Sequence, residues 1–599
     1  MLPSCISNTP PLPHSEYTYR LGVPVGRFIK TLVWGLVLSA IGVIKSEAQI
    51  IINVPLGQTL NYSSLANGNY VFRGAGRVNL NANNSAVTGS VTIEGAEVWL
   101  NAGQSTLSNV SSITINKGGR LVVDSFYYNY PYRRQLSPNA NIYFDSGFLY
   151  IRNANIGSAE KIADLVVSGG TNRLEMIGLA GSDYTFTLLA EKLISSGNGT
   201  LHIQTSSGYE WHGVDPDFKV TRVRFNSLPA RVNGIIPYST IAIREFPLGG
   251  GSLDYFFSGV SNVSGQYEIV KATSQATGQS GWGSAALNVL VNANQTLTTN
   301  RALNSLRFIE NRTVNLVGYT LSVNAGAFLT ARAGRQQWIE NGTLTTAQDR
   351  YFFHIYGTRL SVSSNISGAG KELIKSGPGE LFLYGSQANT YTGTTYVHEG
   401  TLVLNKSPNA KAVGNIIVGD GGGTDTLRLD QSHQIDDLAT VRLKGASRAK
   451  NMTAQGVLRF NGAGGIGLTE KIHTLEIEGQ GVINFAGGTL VRPNVLETTR
   501  VLLPTADDTL FIRNWIEYED YFLVTRALAP NAAELARIWF EGWAPGAKLR
   551  DYNASHWEIV PYGSPEPATY GAILGAVGLG LVVWRKRRLT ASTHRSVKN

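Results

Sequence analysis

The sequence predicts an all-β chain wound into a parallel β-helix (a β-solenoid) with a C-terminal cap, preceded by a leader and followed by one short hydrophobic helix. Three observations predict it. Sixty-six of the 599 residues are glycine, about 11% against the usual ~7%, and Asn, Thr and Ser abound, so the chain can turn often. Between the turns lie alternating triplets, "VNL" at 78–80, "VTI" at 91–93, "VWL" at 98–100, "ITI" at 113–115 and "LVV" at 121–123, each a short half-buried strand. Val91 to Ile113 is 22 residues and Val98 to Leu121 is 23, so similar positions recur once per coil, which is solenoid spacing.

The elements follow in chain order. Arg27 and Lys30 precede the apolar run "TLVWGLVLSAIGVI" at 31–44, and Ser46-Glu47-Ala48 follows it. A positive flank, a short apolar core and small residues at −3 and −1 make residues 1–48 a signal peptide, with cleavage between Ala48 and Gln49. The only cysteine, Cys5, leaves with this leader, so the exported body is expected to hold no disulfide. The formal charge of +9 also belongs to the ends: residues 1–48 contribute +2 and residues 585–599 contribute +6, leaving +1. A near-neutral body lacks the basic footprint of a nucleic-acid partner.

Residues 49–255 read as an irregular N-terminal solenoid and 256–495 as a more regular one, with cadences such as "VNLVGYTLSVNAGAFLT" at 314–330. Residues 496–560 are aromatic, more charged and partly helical at 532–538, which suits a cap over the last apolar coil. Trp515, Trp539 and Trp543 are expected to pack there, a sugar-stacking platform being the other reading. The tail 561–599 holds "PEPATYGAILGAVGLGLVVWRKRR". Its apolar span 570–584 would extend about 22 Å as a helix, short of a ~30 Å hydrocarbon core. Arg585, Lys586, Arg587 and Arg588 would stop it on the cytoplasmic side of a membrane.

Two stretches resemble known families. "GAGKELIKSGPGELFLYGSQANTYTGTTYVHEGTLVL" at 368–404 resembles the autotransporter-associated β-strand repeat through Gly377, Gly379, Leu381, Leu383, Asn389, Tyr391, Gly393, Thr395, Gly400 and Leu402. The resemblance implies a right-handed parallel β-helix in which these residues are structural. Leu373, Leu381, Leu383, Val397, Leu402 and Leu404 would fill the coil, and the glycines would make corners. The tail resembles the PEP-CTERM sorting signal, with Pro565-Glu566-Pro567, an apolar span and the Arg585–Arg588 cluster in order. That resemblance implies export machinery and an exosortase-type inner-membrane transpeptidase as partners, with cutting near the triplet. The family is often found in organisms that make exopolysaccharide and biofilm. A permanent membrane anchor is the plainer reading of the same segment.

Chemistry finds little support. P-loop, dinucleotide, two-His zinc-helix and Gly-x-Ser-x-Gly patterns are absent from the sequence. Asp215-Pro-Asp217 could pair carboxylates but reads better as a turn. "GDGGGTDTL" at 419–427 approaches a calcium-binding nonapeptide, yet one copy supplies few of the six to eight oxygens calcium needs. His398 is expected on an exposed strand position. No catalytic, cofactor or metal residue is assigned. The expected role is a non-enzymatic structural or adhesive protein of the envelope or exterior, with exopolysaccharide or matrix as partner. A secreted β-helix polysaccharide lyase or hydrolase is the alternative, since the same fold serves both.

Overall fold

The computed structural model describes residues 48–563, apart from 102–104, 126–133, 154–158, 180–185, 209–220, 244–253, 448–451, 463–465 and 488–491. Almost every described element is a strand, and the strands stack in parallel as successive coils. Two such stacks exist. The first has a seven-stranded wall, from Gln49–Val54 to Lys192–Ser195, and a thirteen-stranded wall that includes Arg77–Leu80, Glu97–Leu100, Arg120–Ser125 and Phe148–Asn153. The second, from Gln275–Ala276 to His556–Pro561, has walls of seventeen and eleven strands.

The spacing read from sequence is the pairing register itself. Val91 lies opposite Ile113 in one wall, and Val98 opposite Leu121 in the other. All four are fully buried, because a period-2 strand in a closed coil turns alternate side chains inward. Stacking then sets like on like: Leu360, Leu381, Leu402 and Leu427 form one continuous column in the eleven-stranded wall. At roughly 1.5–3 kcal/mol per buried aliphatic side chain, such columns supply the main stabilisation of a body without disulfides.

Each stack also staples a corner with buried polar side chains. In the first, Glu160 accepts the backbone N–H groups of Gln135 and Leu136, both at 3.0 Å, while the Gln135 amide donates to Leu100 O and Ser105 O. In the second, Glu470 accepts from Gln434 N (2.8 Å) and Ile435 N (3.2 Å), and the Gln434 amide donates to Lys406 O and Ser432 O. Buried backbone donors that the strand ladders leave over are satisfied in this way.

The stacks lie side by side and run in opposite directions. Contacts between them descend in one stack as they ascend in the other. Ser146 Oγ donates to Asp420 O (2.9 Å), Thr171 N to Asp420 Oδ2 (2.8 Å), Arg173 pairs with Glu399, and Thr240 Oγ1 meets Tyr356 Oη (2.9 Å). Further along, Asn233 Nδ2 donates to Asn304 Oδ1 (3.2 Å), and Arg307 pairs with Asp254 (2.7 Å). Phe352 and Ile374 of the second stack are buried in the hydrophobic cluster of the first. Charge pairs and apolar contact together hold the two stacks as one body.

Candidate functional surface

The repeat residues build the scaffold. Leu373, Leu381, Leu383, Val397, Leu402 and Leu404 are all fully buried in the core of the second stack. Gly377 and Gly400 sit at corners with φ of 79°, a conformation that suits glycine. A Cβ on Gly379 would stand 2.1 Å from Gly357 O, and one on Gly393 would stand 2.4 Å from Lys371 O, so neighbouring coils approach through bare backbone. Asn389 accepts from Ile366 N (3.1 Å) and donates to Ala412 O (2.8 Å), bridging the coils on either side. The Tyr391 hydroxyl lies 2.7 Å from the buried Thr395 hydroxyl.

Two lysines inside this region are wholly buried. Lys375 Nζ donates to Gly377 O, to Glu399 O (2.6 Å) and, more weakly, to Ser376 O (3.5 Å). Lys406 Nζ donates to Gln387 O (2.7 Å) and Tyr384 O (3.3 Å). Burial pushes the Lys375 ammonium down to about 7 and that of Lys406 to about 8. A lowered amine is one ingredient of a nucleophile. Here, however, the acceptors are carbonyls that hold the N–H groups of an ammonium, and neither side chain meets solvent. These lysines clamp corners.

The glycine-rich turn at 419–427 serves the seam between stacks. Gly421 and Gly423 have φ of 94° and 93°, and Leu427 is fully buried. The Asp420 carboxylate accepts from Gly422 N (2.8 Å) and, across the seam, from Thr171 N (2.8 Å). Burial raises the Asp420 carboxyl to about 7 despite these donors. Asp425 Oδ1 accepts from Gly400 N (3.1 Å). Among the described residues no three His, Cys, Asp or Glu side chains gather as metal ligands.

His398 corrects an expectation: it is buried, not an exposed strand residue. Burial, with Lys444 nearby, pushes its imidazole down to about 3. His354 is likewise buried. Its Nε2 donates to the Pro237 carbonyl (2.8 Å), which leaves Nδ1 to accept from the Ser376 hydroxyl (2.8 Å), and burial lowers it to about 4. His202 faces Tyr255 and Tyr356, whose rings stack 3.8 Å apart at the seam. These histidines are neutral packing groups.

Outward positions of the walls carry a feature that sequence reasoning missed. In the first stack Trp99, Val122 and Tyr150 follow one another in register, and Arg77 lies 4.5 Å over Trp99. Arg120 lies over Phe148 (4.6 Å) and Tyr150 (5.0 Å). In the second stack Trp338, Ser361 and Phe382 follow in register, and Arg359 lies 4.6 Å over Phe382. Arg359 and Arg428 both pair with Glu380. These aromatics are partly exposed. The available signal was an aromatic at the polar position of an alternating strand, as in "EVWL", "GFLYI", "QQWIE" and "ELFLYG". Trp539 joins the same outer face, edge-on to Phe511 (5.5 Å), while Trp515 and Trp543 pack on the core of the second stack.

Several expected sites lie outside the described residues: Ser46 of the leader, Asp215 and Asp217, and the tail with Pro565, Glu566, Pro567, Arg585, Lys586, Arg587 and Arg588. Ala48 and Gln49 are described, and Gln49 opens the first strand. Among the described residues no helix is long and apolar enough to cross a membrane. The passenger-associated-transport-repeat family model matches residues 373–404. No curated protein matches the chain. A repeat of this kind on a parallel β-solenoid suggests an autotransporter-like extracellular passenger and a secreted or surface location.

Proposed function

We propose that this chain is an exported, non-enzymatic β-solenoid of the envelope or exterior that binds exopolysaccharide or matrix along its outer walls. Its tail is the substrate of an exosortase-type transpeptidase. The observation that carries the binding reading is the pair of aromatic–arginine ladders. Trp99 and Tyr150, and Trp338 and Phe382, each stand two coils apart, about 10 Å at the usual strand spacing. A saccharide chain laid along a stack would meet an aromatic face at that interval, with arginine and carboxylate groups between for its hydroxyl and acidic groups.

Exported protein should bind acidic or neutral polysaccharide in a sedimentation assay. Trp99→Ala with Tyr150→Ala should weaken binding about tenfold or more, at roughly 0.5–1.5 kcal/mol per ring. Unchanged binding would mean that the ladders are not the saccharide site. Reducing ends or unsaturated products that vanish in Asp215→Ala would replace the binding reading with the lyase or hydrolase reading.

A further inference from the structure

The four ends of the two stacks are finished differently. The far end of the first stack is closed by an antiparallel meander, with Ile236–Ile243, Asp254–Val263 and Gln266–Lys271 paired in turn. The near end of the second is plugged by the fully buried Trp282, whose Nε1 donates to Thr277 O (3.0 Å). Its far end is covered by the antiparallel pair Ala547–Asp551 and His556–Pro561, with Trp515, Trp543 and Trp557 against the core. Among the described residues the first coil has no such cover. Gln49–Val54 and Thr59–Tyr62 are the outermost strands of their walls, and no other described strand pairs with their free edges.

This open coil also lacks the usual protection of an edge. From Gln49 to Phe72 the sequence holds no Asp, Glu, Lys or Arg. Exposed sheet edges are ordinarily blunted by charge, because free N–H and C=O groups beside apolar side chains recruit another strand. Here Ile50, Ile51 and Leu56 are 41%, 47% and 65% exposed. Ile52 and Leu60, which pack on the core, are only partly buried, whereas Phe72 and Val78, their partners in the next coil, are fully buried.

We propose that the exported protein is a homodimer closed through this coil, with Gln49–Val54 pairing antiparallel to the same strand of a second copy. The strand is self-complementary. Ile50 and Ile52 align with the buried Tyr70 and Phe72, so they belong to the inward row. A two-fold axis at Ile52 sets Ile52 against Ile52, Ile50 against Val54 and Ile51 against Asn53, with no charge opposed to another. Because the other three ends are capped, the contact closes at two copies and does not propagate. The proposal rests on cleavage after Ala48, which makes Gln49 the first residue of the edge.

Light scattering on protein recovered from outside the inner membrane tests this at micromolar concentration. Mass spectrometry of the same sample should give Gln49 as its first residue. The expected mass is that of two chains, and Ile51→Lys, at a position 47% exposed, should give one folded chain with an unchanged circular-dichroism spectrum and a melting temperature that no longer depends on protein concentration. A single-chain mass for the processed wild-type protein would overturn the dimer. So would an Ile51→Lys protein that remains paired. A precursor that cannot be cut at Ala48 and stays single, beside a processed form that pairs, would show the leader covering the edge until export and support the proposal.

Discussion

The first and second stacks share a coil and a staple but differ in what they bury. Glu160 with Gln135 in one and Glu470 with Gln434 in the other satisfy the same kind of corner with the same residue pair. Among the described residues only the second stack encloses lysines, Lys375 and Lys406, and only the second closes its terminal coil under tryptophans. The terminal coil of the first is uncharged, and no other described strand pairs with its outer edges. The repeat-bearing stack thus reads as the finished scaffold. The other leans on it along the seam and keeps one end free for contact.

The sharpest test of that difference is Lys375→Ala. It removes the Nζ donor from the Gly377 and Glu399 carbonyls and should destabilise by about 2–6 kcal/mol, at roughly 1–3 kcal/mol for each buried carbonyl left unpaired. Calorimetry should show the loss. Hydrogen exchange should place it in the coils around 372–406, while strands such as Val91–Ile93 in the first stack stay protected. Equal loss of protection in both stacks would mean that they unfold as one cooperative unit, and the contrast between them would fall.

A second test addresses the seam. The Asp420 carboxyl is held near 7 when folded, above its ordinary value of 3.8. A raised folded value means that the folded chain keeps a proton which the unfolded chain releases. The stabilisation is full below about 4 and is lost as pH rises through about 7. Asp420→Asn cannot ionise, so wild-type stability relative to this variant should fall by about 4 kcal/mol from pH 4 to pH 8, at about 1.36 kcal/mol for each pH unit between the two values. The buried His354 and His202 have lowered values, act in the opposite sense and cancel in the comparison, whereas Asp425, pushed up by burial and then by Asp420, titrates together with Asp420 and contributes to the difference. A pH-independent difference would mean that Asp420 is ionised throughout.

The smallest expected effect tests the shared staple. Glu160→Gln and Glu470→Gln each replace one of two carboxylate acceptors by an amide donor, leaving one backbone N–H facing an N–H. Each should cost about 1–3 kcal/mol in melting experiments, and by similar amounts. A large inequality would show that the two corners are alike in geometry only.

Much of the coil was legible in sequence because period and register are the same quantity in a parallel stack. The offsets at Val91–Ile113 and Val98–Leu121 are ladder pairs, and the leucines of 373–404 point where alternation puts them. The doubling back was not legible. Alternation distinguishes inside from outside, but an outward residue looks the same whether it faces water or a second stack. The trace left was local: "YFFHIY" at 351–356 is apolar on both phases, as a strand buried on both faces must be, and Phe352 and His354 are its outward buried members. His398 was misread for the same reason. The aromatic ladders escaped because each aromatic lies alone in its own coil and only the register gathers them.

In the proposed function this body works beyond the inner membrane after both ends are processed. Terminal mass spectrometry of the protein from its native cells, fraction by fraction, tests that most directly. The expected chain begins at Gln49, ends near Pro565–Pro567 and lies outside the inner membrane. A chain still carrying Arg588 in an inner-membrane fraction would make the tail a permanent anchor and rule out release beyond the inner membrane.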